Sequence, residues 1–214
     1  LDSNGNGTRD DYVEAGLPMD PEKDLRVSGG FYGVMPSPAD GSIWGSSTGF
    51  PGKLIRLDPG ANPPATALAE IYEVPWDEPR AEVQGFSPRG MDVDRDGVVW
   101  AALASGHYGA FDRRKCTSPL NGPAAATGRH CPEGWTLYQT PGPHFQGAVE
   151  GANADSHYYN WVDQFDTFGM GTNVPIITGN GSDSLMVLDK QSGEFTTLRV
   201  PYPLGFFAKG MDGR

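Results

Sequence analysis

Two tryptophans, Trp44 and Trp100, each close a short apolar run that follows an Asp-Gly turn, and they stand 56 residues apart. The aspartates ending the next apolar runs, Asp58 and Asp112, stand 54 apart. A near-constant period of this length marks a repeat architecture, in which each unit is too small to cover its own faces and must stack on its neighbours. The unit is clearest at residues 89–116, RGMDVDRDGVVWAALASGHYGAFDRRKC, which reads as strand, tight turn, strand, turn, strand. Asp-Arg-Asp-Gly at 94–97 suits a hairpin whose last glycine takes a positive φ.

The repeat divides the chain. An earlier copy runs FYGVMPSP, Asp40-Gly41, SIWGSS, KLIRLDP and ALAEIYEVP, and the copy around Trp100 closes with WTLYQTP after a Pro-, Gly- and Ala-rich insertion at 117–131. A third, less regular copy is expected to take its aromatic strands from HYYNWVDQFDTFGMG, followed by SLMVLDKQSG, with Asp189 in the aspartate place, and EFTTLRVPYP. The expected organisation is a calcium-loop-like insertion and connection at 1–26, then a partial β-propeller at 27–214. Its blades fall at about 30–76, 81–142 and 155–202, and a fourth begins at 204–214. The fold class is all-β, a propeller fragment of three to four blades of four-stranded antiparallel sheet. Thirty glycines, 19 prolines and 11% aromatic residues agree with turn-dense strand packing. The closing FFAKGMDGR repeats FSPRGMDVDR at 86–95 and then stops, so the chain reads as a fragment, and a start at Leu1 reads as a processed or truncated product.

A net charge of -11 repels phosphate backbones and anionic lipid, so nucleic acid and membrane surfaces are poor partners. No apolar run approaches 18 residues, so no membrane insertion is expected. Cys116 and Cys131 have 14 residues between them. In a secreted or periplasmic acidic domain they pair, closing a loop worth roughly 3 kcal/mol in the chain-entropy model.

Near the N-terminus, DSNGNGTRDDYVE sets Asp2, Asn4, Asn6, Thr8 and Asp10 at alternate places around Gly7. This is the front half of an Asp-x-Asn-x-Asn-Gly calcium loop, with Thr8 giving its carbonyl oxygen and Asp10 binding directly or through water. Val13 occupies the twelfth position, where an EF-hand places its bidentate glutamate, and Glu14 comes one residue late. The stretch resembles the short calcium loops of thrombospondin type 3 repeats more than a full EF-hand. An Asx-rich surface turn without metal is the plain alternative.

Asp-Gly-x-(Ile/Val)-Trp, a Gly-rich turn and then (Leu/Phe)-Asp resemble blades of the streptogramin-lyase-like and gluconolactonase-like propellers, over residues 30–214. The resemblance implies blades around a channel, with ligands at the mouth where loops meet, and in the lyases a His base and a metal-binding Glu. No His or Glu of this chain sits in a motif that matches those roles. The whole also resembles bacterial secreted proteins that join a carboxypeptidase-regulatory-like β-sandwich to such a propeller, which places the sandwich and the remaining blades outside this chain.

Four residues are weak catalytic or metal-ligand candidates: His107 in SGHYG, and His144, Glu150 and His157 on or beside a long loop that also carries Asp155. The plainer expectation is a solvated or hydrogen-bonded turn His at 107 and a solvated polar loop around 144–157. His130 reads as a loop residue. Trp44 and Trp100 are expected to pack between blades. Tyr158, Tyr159 and Trp161 divide between core and sugar-stacking roles. Asp58, Asp112 and Asp189 are expected to cap turns. Gly-x-Ser-x-Gly, P-loop and dinucleotide fingerprints are missing from the sequence, and no organic cofactor is expected.

The function expected first is a non-catalytic, secreted or periplasmic module that binds a polymer, small molecule or protein, carbohydrate and a protein partner both being open, on its loop-rich face. The alternatives are a lyase- or lactonase-like metal enzyme and a calcium-stiffened structural repeat of a surface protein.

Overall fold

The computed structural model describes residues 1–145, 153–155, 157–206, 208, 210 and 211. Three four-stranded antiparallel sheets follow one another along the chain. The first holds β3 (Gly33–Pro36), β4 (Ile43–Ser47), β5 (Lys53–Asp58) and β6 (Leu68–Glu73), after a short parallel pair, β1 (Tyr12–Val13) and β2 (Asp24–Leu25). The second holds β7 (Pro88–Val93), β8 (Val99–Leu103), β9 (His107–Phe111) and β10 (Trp135–Gln139). The third holds β11 (Asn160–Asp163), β12 (Val174–Gly179), β13 (Ser184–Leu188) and β14 (Phe195–Arg199). Each sheet is a simple meander whose first strand lies innermost, and β3, β7 and β11 adjoin one another. These are propeller blades.

The two tryptophans occupy the same slot. Trp44 pairs with Met35 on the inner strand and Trp100 with Asp92, and each indole stacks on a tyrosine of its blade's outer strand, Tyr72 at 27° and Tyr138 at 25°. Alternation along β8 turns Val99, Ala101 and Leu103 toward the first blade, where they meet Trp44, Leu54 and Tyr72, and turns Trp100 and Ala102 toward Val162, Ile177 and Met186 of the third. Both faces of the middle blade are therefore buried. At roughly 1.5–3 kcal/mol for each large side chain removed from water, these two seams are the main apolar contribution to the fold.

Polar seams run beside the apolar ones. Glu70 on β6 accepts from Arg56 on β5 at 3.3 Å, from Arg113 of the second blade at 2.6 and 2.7 Å, and from Tyr72 Oη at 2.6 Å. Asp92 accepts from Val162 N at 2.9 Å across the second seam. The repeating aspartates cap turns alike: Asp58, Asp112 and Asp189 each accept the N–H two residues on, from Gly60, Arg114 and Gln191. Gly97 closes its hairpin at φ +80°.

The third blade departs from expectation. Its second strand is not in the aromatic stretch but at Val174–Gly179, where Ile176 fills the tryptophan place opposite Trp161. Residues 164–173 form a long hairpin connection, folded about Asp163, which accepts from the N–H groups of Phe165, Thr167 and Phe168. Beyond β14 no strand is formed among the described residues. Met211, in the place Met91 holds in the second blade's GMD, packs on Trp161, Ile176 and Val187.

Candidate functional site

In a meander of four strands, the second-to-third connections and the links from one blade's outer strand to the next inner strand fall at one end of the sheets. That mouth carries residues 48–52, 104–106 and 180–183 together with the link 74–87 and the described residues of the link from β10 to β11, 140–145, 153–155 and 157–159. Tyr32, Arg89 and Tyr158 each lie just before or within the start of an inner strand, Arg89 at a register shift between Pro88 and Met91. They meet there. The Arg89 guanidinium lies 4.2 Å from the Tyr158 ring centroid and donates to His157 O at 3.3 Å, and the Tyr32 and Tyr159 rings are 5.6 Å apart.

A second aromatic group stands further out on this face. Phe50 follows β4, Trp76 follows β6 and Phe86 precedes β7, with ring centroids 5.1 to 5.5 Å apart. Phe50 is 66% exposed and Trp76 39%. The three loops are tied by main-chain bonds: Val74 N donates to Gly52 O at 3.0 Å, Ser87 N to Pro51 O at 2.6 Å, and Gly85 N to Pro75 O at 2.8 Å. Gly52 sits at φ +84° with Pro88 where its Cβ would be, so the turn bearing Phe50 is pressed against β7. The trio is thus held open to solvent on a rigid base.

Beneath the mouth lies a polar layer that contradicts the solvated loop expected around Asp155 and His157. Both are fully buried. His157 Nδ1 meets Thr178 O at 2.6 Å and Nε2 meets Thr140 Oγ1 at 2.8 Å, while Asn153 Nδ2 donates to the Thr140 hydroxyl at 2.8 Å. Asp155 accepts from Gly181 N at 2.6 Å and Ser182 Oγ at 2.7 Å. His107, expected as a solvated or hydrogen-bonded turn residue, is hydrogen-bonded but neither solvated nor in the turn: it opens β9, is buried, and shares a 3.0 Å bond through Nδ1 with Ser105 Oγ. Burial lowers the pKa of both imidazoles, more than the Thr178 carbonyl and Asp155 raise that of His157, and His157 in turn lowers that of His107. His130, read as a simple loop residue, is also buried, against the Tyr72 ring, and its pKa is lowered by the same cause.

Of the four weak candidates, His107 and His157 come together, His144 is exposed on its loop, and Glu150 lies outside the described residues. Among the described residues no three His, Cys, Asp or Glu side chains form a group able to hold a metal. A general base must reach its substrate. These two rings are instead bound into the seam between the second and third blades.

At the opposite end Cys116 and Cys131 form a disulfide, closing the 117–131 insertion over the first blade, where Glu73 N donates to Gly128 O at 2.9 Å. The insertion also holds the N-terminal loop, through Gly122 N to Asp2 O at 2.8 Å. Within that loop the Asp2 carboxylate accepts from Gly5, Asn6 and Gly7 N–H groups, and Asn4 and Asn6 both donate to Asp10 Oδ2, at 2.9 and 2.6 Å. Thr8 N donates to Asn6 Oδ1 at 2.8 Å.

Sequence reasoning did not single out Phe50, Trp76 or Phe86. Large aromatics among Gly and Pro in turns were the available signal, because such residues have no strand face to bury them.

No family model and no curated protein matches the chain. Among solved structures it is similar to virginiamycin B lyase from Staphylococcus aureus, at 15% identity over 87% of this chain and 44% of that one, with a TM-score of 0.49. It is also similar to AztD from Citrobacter koseri, at 13% identity over 85% and 38%, TM-score 0.47. An auxiliary nutrient binding protein from Bacteroides thetaiotaomicron matches at 13% over 77% and 35%, TM-score 0.43. The chain spans less than half the length of each of these three structures. The assignment as a β-propeller fragment rests on the strand order and registers above.

Proposed function

We propose that the chain is part of a secreted or periplasmic binding module whose loop-rich mouth takes a neutral carbohydrate. The observation that carries this reading is the Phe50–Trp76–Phe86 trio, with Phe50 and Trp76 exposed and Phe86 half-buried beneath them, beside the Tyr32, Arg89 and Tyr158 mouth. Pyranose rings offer C–H faces to aromatic rings and hydroxyls to polar neighbours, and aromatic platforms held in place beforehand spare the ordering cost of binding. The net charge of -11 favours neutral over acidic polymers. A disulfide supports an oxidising compartment.

Trp76 also supplies the test, since Trp44, Trp100, Trp135 and Trp161 are buried. Titration with a panel of soluble neutral glycans should shift Trp76 fluorescence for at least one of them, and W76A should lose that binding while its far-UV circular dichroism stays that of the parent. A panel that leaves the fluorescence and the heat of mixing flat refutes the carbohydrate reading. Binding that survives in W76A refutes the placement on this trio.

A further inference from the structure

The loop at Asp2–Asp10 lacks the acid that would complete an oxygen cage, since Val13 stands in the twelfth place. Glu14 does not replace it. Its carboxylate is exposed and takes both oxygens to Arg26 Nη1, at 3.1 Å each, away from the loop. The chain brings a different carboxylate to the spot. β1 and β2 run parallel, with Tyr12 opposite Asp24 and Val13 opposite Leu25, so a residue a dozen positions later lies beside the end of the loop.

Asp24 is 4% exposed. Its Oδ2 accepts from Asp10 N at 2.9 Å, which sets the carboxylate against the last ligand position of the loop, and its Oδ1 is buried with no hydrogen-bond partner among the described residues. A carboxylate oxygen out of water without a hydrogen bond is costly, and among the described residues the only cationic group near it is the Leu1 ammonium, which donates its own hydrogen bond to Leu25 O at 3.0 Å. Asp2, Asp10 and Asp24 are not gathered into a metal-holding group in the structure as it stands, and an ion taken up by the loop would draw the three carboxylates together and give the buried Asp24 oxygen a partner.

We propose that Asp24 is the ligand that completes a divalent-cation site with Asp2, Asn4, Asn6, Asp10 and the Thr8 carbonyl. The inference rests on reading the N-terminal loop as cation-binding, and it adds the missing acid from outside the loop. The donors are all oxygens, three of them carboxylate groups and the rest amide and carbonyl oxygens, a mixed set that suits Ca2+ better than the strict octahedron of Mg2+. Binding turns the Asn4 and Asn6 amides, whose NH2 groups now neutralise Asp10 Oδ2, so that their oxygens face the ion. Because Asp2 O is held by Gly122 and Leu1 packs with Ile55, Ile71 and Ala126, the ion would fasten the N-terminal segment to the first blade and to the disulfide-closed insertion.

The test is calorimetric titration of the protein with CaCl2, alongside melting temperatures in chelator and in 5 mM Ca2+. Expected are one site per chain with Kd near the ~0.1–1 mM range of extracellular modules, and a higher melting temperature with the ion. D24N should weaken Ca2+ binding by about tenfold or more, since it removes one ligand charge. In chelator D24N should melt no lower than the parent, because the amide still accepts from Asp10 N and the buried charge is gone. E14Q should bind Ca2+ like the parent. A parent that takes up no Ca2+ at 10 mM overturns the cation reading of the loop. Ca2+ uptake that is unaltered in D24N, or weakened as much by E14Q, leaves the loop reading standing and overturns the role of Asp24.

Discussion

Protonation of the buried His157 should set part of the acid stability of this protein, and the size of the effect follows from its surroundings. In the unfolded chain a histidine titrates near 6.5, whereas the folded protein holds His157 below that value because its ring is out of water. A depressed histidine pKa means that stability is unaffected above the unfolded value and falls as pH drops through it, until the folded pKa is reached. Between pH 7.5 and 5.5 the loss approaches about 1.4 kcal/mol if the folded ring stays neutral throughout. Hydrogen bonding does not set the cost, because the Thr140 hydroxyl can turn to Gly106 O at 3.0 Å and accept from a protonated Nε2. The cost is that of burying the charge, and nearby Asp155 offsets only part of it. Urea midpoints for the parent and H157Q at the two pH values give the comparison, with the m-values checked for constancy. Glu73 and Asp24, whose pKa values burial raises, act in the opposite sense but titrate alike in both proteins and cancel, while H107Q and H107Q/H157Q, compared in the same way, take out His107, whose pKa His157 lowers. The parent should lose more stability than H157Q by up to about 1.4 kcal/mol. Equal losses would refute the claim that burial keeps this ring neutral.

Three further outcomes are expected. Replacing both cysteines, C116S/C131S, should lower unfolding free energy by roughly 3 kcal/mol in a denaturant titration, as the loop-closure model gives for a loop of this length. G106A should destabilise by more than 1 kcal/mol in the same assay, because residue 106 sits at φ +83° with Asn153 where a Cβ would go. R113M should cost about 3 kcal/mol or more, read as a melting-temperature drop, since it strips the bidentate partner from buried Glu70 and leaves only Arg56 and Tyr72.

The repeat was legible where its strands carry a shared chemical mark. Trp44 and Trp100 each need a tyrosine two places along the outer strand to stack on, so both segments keep the same strands, turns and spacing. The third blade hid its second strand because Ile176 fills the same volume with no aromatic signal, while the exposed Phe165 and Phe168 of the hairpin connection imitate a strand. The buried histidines were harder to read. His157 is enclosed by Thr140, Asn153 and Thr178, which come from three separate segments, and nothing in the spacing around a histidine announces such partners. The same holds for Asp24, which reaches the N-terminal loop through one parallel bridge between two-residue strands.

The disulfide-closed insertion gives the molecule a property that radial repeats do not otherwise have. Neighbouring blades touch along flat sides, so a propeller opened at one edge is free to splay like a fan. Here a cross-linked arm rooted in the middle blade crosses to the outer strand of the first, gripping it at Glu73 and Leu1's pocket of Ile55 and Ile71. Reducing conditions would slacken that arm, and the first two blades would then be joined by their shared interior, the Glu70–Arg113 pair and the tie between Pro51 and Ser87.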